Sequence, residues 1–177
     1  MTIALLAGDG IGPEVTAESV KVSNAIAEVY GHEIEWRPAL TGAAAIDAVG
    51  DPYPPETHEV CASSDAVLFG AIGLPRFDND PSAKVRPEQG LLRMRKMLGL
   101  YANVRPTFVF ESLIENSPLK RDRIEGTDLV FVRELTGGIY FGERGRQDND
   151  NTAFDTCTYT RDEIVRLARK GFELAMS

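Results

Sequence analysis

Thr2-Ile3-Ala4-Leu5-Leu6-Ala7-Gly8-Asp9-Gly10-Ile11-Gly12-Pro13-Glu14 runs a short apolar stretch into a tight glycine turn and straight on into a helix start. Residues 2–7 read as a buried β-strand. Pro13 suits a first helical position, where its missing N–H costs nothing. Val15, Val22, Ile26 and Val29 then recur at helical spacing through Tyr30, and Gly31 ends the helix. Outward from there, residues 33–38 alternate like a second strand and residues 41–49 form a short helix. Residues 52–55 are a proline-rich loop, residues 56–63 a helix and residues 65–69 another buried strand. Strand–helix–strand–helix–strand in about 70 residues requires crossovers and a largely parallel sheet, an α/β fold.

From residue 70 to residue 87 the chain reads as loop, with Gly70, Gly73, Pro75, Asn79, Pro81 and Pro87. A loop this long inside a compact domain is uncommon and tends to be functional. A helix is predicted over 88–98, extended chain broken by Pro106 over 101–110, and strands over 128–133 and 139–141 around a Gly137-Gly138 turn. Residues 142–151 are polar, and 152–159 look like a β-rich arm. Thr160-Arg161-Asp162-Glu163 is a capping box, followed by Ile164, Leu167, Ala168 and Ala175 on one helix face. No stop signal follows before Ser177, so the end reads as an interruption. The organisation predicted is one α/β domain over 1–100 and an incomplete second domain over 101–177.

A net charge of −8 argues against nucleic acid as a partner. The longest apolar runs, such as 66–72, are far below the roughly 20 residues that span a bilayer, and no secretory signal opens the chain. Cys61 and Cys157 have neither metal-site nor redox spacing and read as reduced thiols of a cytoplasmic protein. His32 and His58 stand alone, against a histidine-based metal site. Charge is nevertheless uneven. Between Arg76 and Arg105 seven basic side chains face three acidic ones, which makes either a solvated basic face or a local anion site.

Gly8-Asp9-Gly10 between strand and helix invites a dinucleotide-binding reading, but the third glycine would have to stand at 13, where Pro13 sits. A close-packed strand–helix turn is the alternative. Glu88, Leu91, Leu92 and Arg95 share one helix face. That face is either a core stripe with an arginine reaching water, or a surface for a ligand with one apolar branch and one carboxylate. Arg105 precedes Pro106 on a stiff extended backbone. Arg133 closes the apolar run Leu129-Val130-Phe131-Val132 and needs a partner: Glu134, Glu143 or an anionic ligand. Arginine suits bidentate carboxylate grips. Tyr140, seven residues on across the double glycine, either packs or supplies an ionisable phenol.

Four stretches carry a family resemblance, in order. They are Leu5-Leu6-Ala7-Gly8-Asp9-Gly10-Ile11-Gly12-Pro13-Glu14, Arg86-Pro87-Glu88-Gln89-Gly90-Leu91-Leu92-Arg93-Met94-Arg95-Lys96, Asn103-Val104-Arg105-Pro106, and Val132-Arg133-Glu134-Leu135-Thr136-Gly137-Gly138-Ile139-Tyr140-Phe141-Gly142. Together they resemble the 3-isopropylmalate dehydrogenases, one branch of the β-decarboxylating dehydrogenases that also include isocitrate, homoisocitrate and tartrate enzymes. The resemblance covers essentially the whole chain but only about the first half of a family member.

The resemblance implies a two-domain isopropylmalate dehydrogenase-like fold and NAD-dependent oxidative decarboxylation of 3-isopropylmalate in leucine biosynthesis. Its substrate arginines fall on Arg95, Arg105 and Arg133, its catalytic tyrosine on Tyr140, and its pocket for the isopropyl group on Leu91 and Leu92. Its NAD-lining segment falls on Pro75, Arg76, Phe77, Asp78 and Glu88. It further implies Mg²⁺ or Mn²⁺ held by aspartates that this chain lacks, a catalytic lysine also lacking, and a homodimer with shared active sites joined by an arm over 141–159. Asp9, Asp65 and Asp128 lie in other local contexts, so no metal ligand is assigned here. Two alternatives stand beside this reading: an inactive product acting as a weak anion-binding or dimerising module, or a related enzyme for isocitrate, homoisocitrate or tartrate.

Overall fold

β1 (Thr2–Gly8) lies between β2 (Glu35–Pro38) and β3 (Ala66–Ala71) in a three-stranded sheet whose pairings are both parallel. The computed structural model describes residues 1–80 and 82–177; Pro81, which falls in the loop expected over 70–87, lies outside them. Parallel neighbours need crossovers. α1 (Gly12–Tyr30) supplies the first, and α2 (Gly42–Val49) with α3 (Pro55–Ala62) the second. The predicted strand–helix alternation is therefore realised, each boundary within a few residues of its predicted place.

The chain divides into two compact units, Met1–Leu98 and Gly99–Ser177. The first has its core on the central strand, where Ala4 and Leu6 are wholly buried and pack with Tyr53, Cys61 and Met94. The glycine turn is a close-packed one. Gly8 has φ +74°, and a side chain there would start 2.0 Å from the Ala71 carbonyl oxygen, to which the Asp9 N–H donates at 2.7 Å. α1 holds a surprise. It buries Gly12, Thr16 and Ala27 and leaves Val15, Val22, Ile26 and Val29 exposed. Helical spacing marks an apolar stripe but does not say what covers it.

In the second unit β4 (Ala102–Phe108) and β5 (Asp128–Glu134) pair antiparallel along their whole length. A 3₁₀ turn (Glu111–Asn116) and α6 (Arg121–Ile124) connect them, burying Ile114 and Ile124. β6 (Arg144–Gln147) and β7 (Thr152–Asp155) form a separate hairpin, and α7 (Arg161–Met176) packs on β5. The capping box of α7 is closed as predicted: Glu163 N–H donates to the Thr160 hydroxyl at 3.3 Å and Thr160 N–H to the Glu163 carboxylate at 2.7 Å.

Residues 139–141 are not a strand. They turn over the Gly138 carbonyl, which accepts the Phe141 and Gly142 N–H groups at 3.4 and 3.2 Å. Three residues after a double glycine are too few for alternation to distinguish strand from turn. β6 escaped notice for a different reason: an exposed ribbon such as Arg144-Gly145-Arg146-Gln147 has no apolar face to read. α4 (Pro75–Asp78), inside the predicted loop, is a single turn and too short to show a period. Among the described residues no helix is long and apolar enough to cross a membrane.

Candidate active site

The β4–β5 register settles which side chains of the second unit share a face. Asn103 stands opposite Arg133 and Arg105 opposite Phe131. Because facing residues of an antiparallel pair project to the same side and alternate along each strand, Asn103, Arg105, Phe131 and Arg133 occupy one face. Both arginines are exposed there. Arg105 Nε donates to Asn103 Oδ1 at 2.5 Å. Arg133 Nη2 donates to the Tyr140 hydroxyl, and its guanidinium carbon lies 5.3 Å from the Tyr140 ring centroid. Of the partners open to Arg133, Glu134 is turned to the other face, where Arg166 and Thr136 hold it. The Tyr140 phenol takes that place. Two guanidiniums on one face, diagonal across the ladder, form a cationic surface suited to carboxylates.

In the first unit the remaining predicted residues lie on α5 (Pro87–Met97) and the segment before it. Gln89 closes the start of α5, its Oε1 accepting the Arg86 N–H at 3.1 Å while its own N–H donates to the Arg86 carbonyl at 3.1 Å. Leu91 packs against the core, while Leu92 and Arg95 are half-buried. Glu88 lies beside the exit from β3: a side chain built on Gly73 would start 2.9 Å from Glu88 Oε1.

The predicted cofactor segment is an ordered turn. Arg76, over the Phe77 ring at 4.9 Å, reaches Asp47 at 2.6 Å. Arg86 donates to the Phe77 and Asp80 carbonyls at 2.6 and 3.0 Å. Pro75, Arg76, Phe77, Asp78 and Glu88 thus cluster past the carboxyl end of β3, where open parallel sheets hold their ligands. Gly73 (φ +114°) leaves room only for the Glu88 carboxylate, so this strand exit carries an acceptor, Glu88, and a cation, Arg76, a donor set that fits the hydroxyl and phosphate groups of a nucleotide.

Sequence reasoning set Asp9 aside as a metal ligand and gave it no other role. Its buried carboxylate accepts the Ala44 N–H in the first turn of α2 at 3.1 Å and the Gly73 N–H at 3.0 Å, tying the β1 turn to the β3 exit. It also passed over Arg93, which joins α5 to the Asp51 carboxylate and, at 2.6 Å, to the Tyr53 carbonyl. Burial opposes ionisation of Asp51, yet the Tyr53 amide and Arg93 hold its carboxyl below the usual range. Asn103 was missed as well, and Glu134 was weighed only as a partner for Arg133; strand alternation about Arg133 is the signal that places both. Among the described residues no group of three or more His, Cys, Asp or Glu side chains is placed to hold a metal ion.

The sequence matches the family described as isocitrate/isopropylmalate dehydrogenase over residues 2–177. It is 58% identical over 174 residues to the 3-isopropylmalate dehydrogenase of Bacteroides fragilis, covering 98% of this chain and 49% of that protein. It is 53% identical over 176 residues to that of Aquifex aeolicus, covering 98% of this chain and 48% of the relative. The chain therefore spans about half the length of the curated relatives it matches. The crystal structure of isocitrate dehydrogenase from Methylococcus capsulatus aligns with a TM-score of 0.78 at 29% identity, over 99% of this chain and 47% of that one. A β-decarboxylating dehydrogenase from Thermococcus kodakarensis, in its apo form, aligns with a TM-score of 0.65 at 31% identity, over 96% of this chain and 43% of that one.

Proposed function

Because the chain belongs to the isocitrate/isopropylmalate dehydrogenase family, we propose that it serves, as about half of a longer enzyme, in the NAD-dependent oxidative decarboxylation of 3-isopropylmalate to 4-methyl-2-oxopentanoate, a step of leucine biosynthesis. The observation that carries this reading is the shared face of Arg105 and Arg133 with the Tyr140 hydroxyl bonded to Arg133. The names of the 50–58% identical relatives support the same substrate.

Arg105 and Arg133 grip the malate carboxylates and orient the substrate, the role also proposed for Arg95 of α5. Each charge-assisted bond of this kind is worth roughly 1.5–3 kcal/mol. Leu91 and Leu92 offer the branched tail an apolar surface and give a third carboxylate nothing polar to bind. Pro75, Arg76, Phe77, Asp78 and Glu88 would hold NAD, which would accept the hydride from C2, while the C2 hydroxyl proton would pass to a base in the remainder of the enzyme. The resulting β-keto acid loses CO₂ and leaves negative charge on an enolate, which the carboxylate-binding arginines face. Tyr140 then gives its phenolic proton to the enol carbon as a positioned general acid.

Among the described residues no group of three or more His, Cys, Asp or Glu side chains could hold a divalent ion. In this proposal Mg²⁺ or Mn²⁺ takes its ligands from the remainder of the enzyme, which works in the cytoplasm as a homodimer with shared sites. An assay of the whole enzyme with NAD and Mn²⁺ tests the reading. We expect turnover of 3-isopropylmalate in clear preference to isocitrate; the reverse preference overturns the assignment of Leu91 and Leu92.

A further inference from the structure

Arg133 and Glu134 are adjacent, and the pleat sends their side chains to opposite faces of the sheet. The arginine goes to the face with Arg105. The acid goes to the face covered by α7, where its side chain is 6% exposed. There one carboxylate oxygen, Oε1, accepts three donors: the Thr136 N–H and hydroxyl, each at 2.7 Å, and Arg166 Nη2 at 3.0 Å. The same Arg166 nitrogen also reaches the Thr136 hydroxyl at 2.6 Å, and its guanidinium lies 4.7 Å from the Tyr101 ring centroid. Burial disfavours the charge on Glu134, but the Thr136 hydroxyl and amide and the Arg166 guanidinium hold its carboxyl below the usual range.

What these groups grasp is the start of the turn that delivers Tyr140. Leu135 N–H donates to the Tyr101 carbonyl at 2.8 Å, and Thr136 is locked by the acid. The buried Gly138 donates to the Thr158 carbonyl at 2.9 Å and has φ +70°. A side chain there would start 2.5 Å from the Tyr159 hydroxyl. The segment from Glu134 to Gly138 is thus fixed from behind the sheet, and two residues later the Tyr140 hydroxyl meets Arg133 in front of it.

We infer that Glu134 and Arg166 are positioning residues for Tyr140, holding the Thr136–Gly138 turn so that the phenol stays against Arg133. This rests on the proposed role of Tyr140 as proton donor. The plain alternative is an ion pair that only fastens α7 to β5. The two differ in what is lost: misplacing a reacting group slows the chemical step, whereas weakening a fastening lowers the folded fraction.

Arg166→Met, Arg166→Lys and Tyr140→Phe in the whole enzyme separate them. Kinetics are normalised to folded protein, and amide hydrogen exchange is followed over residues 135–142. We expect Arg166→Met to lower kcat by about tenfold to a hundredfold while KM for 3-isopropylmalate stays within about twofold. Exchange should quicken in that turn and not in β4, and Arg166→Lys should recover most of kcat. An unchanged kcat per folded molecule, or exchange that quickens equally throughout the unit, overturns the inference. Should Arg166→Met not fold, Thr136→Val removes the hydroxyl alone and must show the same split. Full activity in Tyr140→Phe overturns the role of Tyr140 itself; loss there beside an unaffected Arg166→Met overturns the positioning alone.

Discussion

In the first unit Ala4 and Leu6 lie at 0% exposure under Tyr53, Cys61 and Met94, with α3 and α5 closing over the central strand. In the second, Leu129, Val130 and Phe131 of β5 are exposed, and α7 buries no residue although Ile164, Leu167 and Ala168 share one face. Phe172 on that helix is 72% exposed. The two units read alike in sequence, each with apolar strands and amphipathic helices. They differ because a strand buries its apolar residues only when other elements cover its faces, and a two-stranded ladder under one helix offers few. Local order in the second unit leans on polar devices instead. Arg121 bonds to Glu111, Glu115 and Glu125, the Thr160 box caps α7, and Glu134 grips Arg166.

Thiol labelling offers the largest contrast between the units. Cys61 is buried and its thiol pushed up by that burial, whereas Cys157 is exposed. In the 177-residue chain we expect Cys157 to react at once and Cys61 to be slower by at least about a hundredfold, its rate following unfolding of the first unit. Equal rates would show that the first unit has no stable core. Next in size, Arg133→Ala in the whole enzyme should lower kcat/KM by about a thousandfold, roughly 4 kcal/mol, through lost charge-assisted bonds. An unchanged kcat/KM removes Arg133 from the clamp.

The contrast in burial should then appear in stability. Leu6→Ala should cost about 3 kcal/mol in urea unfolding, as cavity-forming core changes do. Phe172→Ser should shift it by no more than about 0.5 kcal/mol, the usual range for an exposed site. Comparable losses would mean that α7 is covered after all. The smallest effect concerns acid. Glu134 is held below its ordinary value of 4.5 in the folded state, so its share of stability is complete above that value and lost as pH falls through the lowered one. Acid titration of Glu134→Gln, followed by circular dichroism, should show a shallower loss of structure below about pH 4.5 than the parent. Identical slopes exclude Glu134 as a source of the acid sensitivity.

Much of the first unit was legible because its signals are local. Pro13 and Gly31 bracket α1, and the apolar residues 2–7 and 65–69 mark central strands. Arg105, Arg133 and Tyr140 were legible as candidates, their residue types being suited to carboxylates and proton transfer. The placing of Asn103 opposite Arg133 and the turn of Glu134 toward Arg166 were not, since they depend on cross-strand register and on a helix more than thirty residues away. The role of Asp9 was hidden for the same reason: its partners, Ala44 and Gly73, are distant in sequence.

By itself the sequence determined the α/β class, the strand–helix order of the first unit, the capped final helix and the residue types from which an anion grip is proposed, all of which follow from period, capping and side-chain chemistry. Only the tertiary structure decided which apolar stripes are covered, leaving Val22 and Ile26 of α1 exposed. It alone put Arg133 in front of the sheet and Glu134 behind it in contact with α7. Coverage and facing depend on which chain segments meet in space, and no local pattern encodes that.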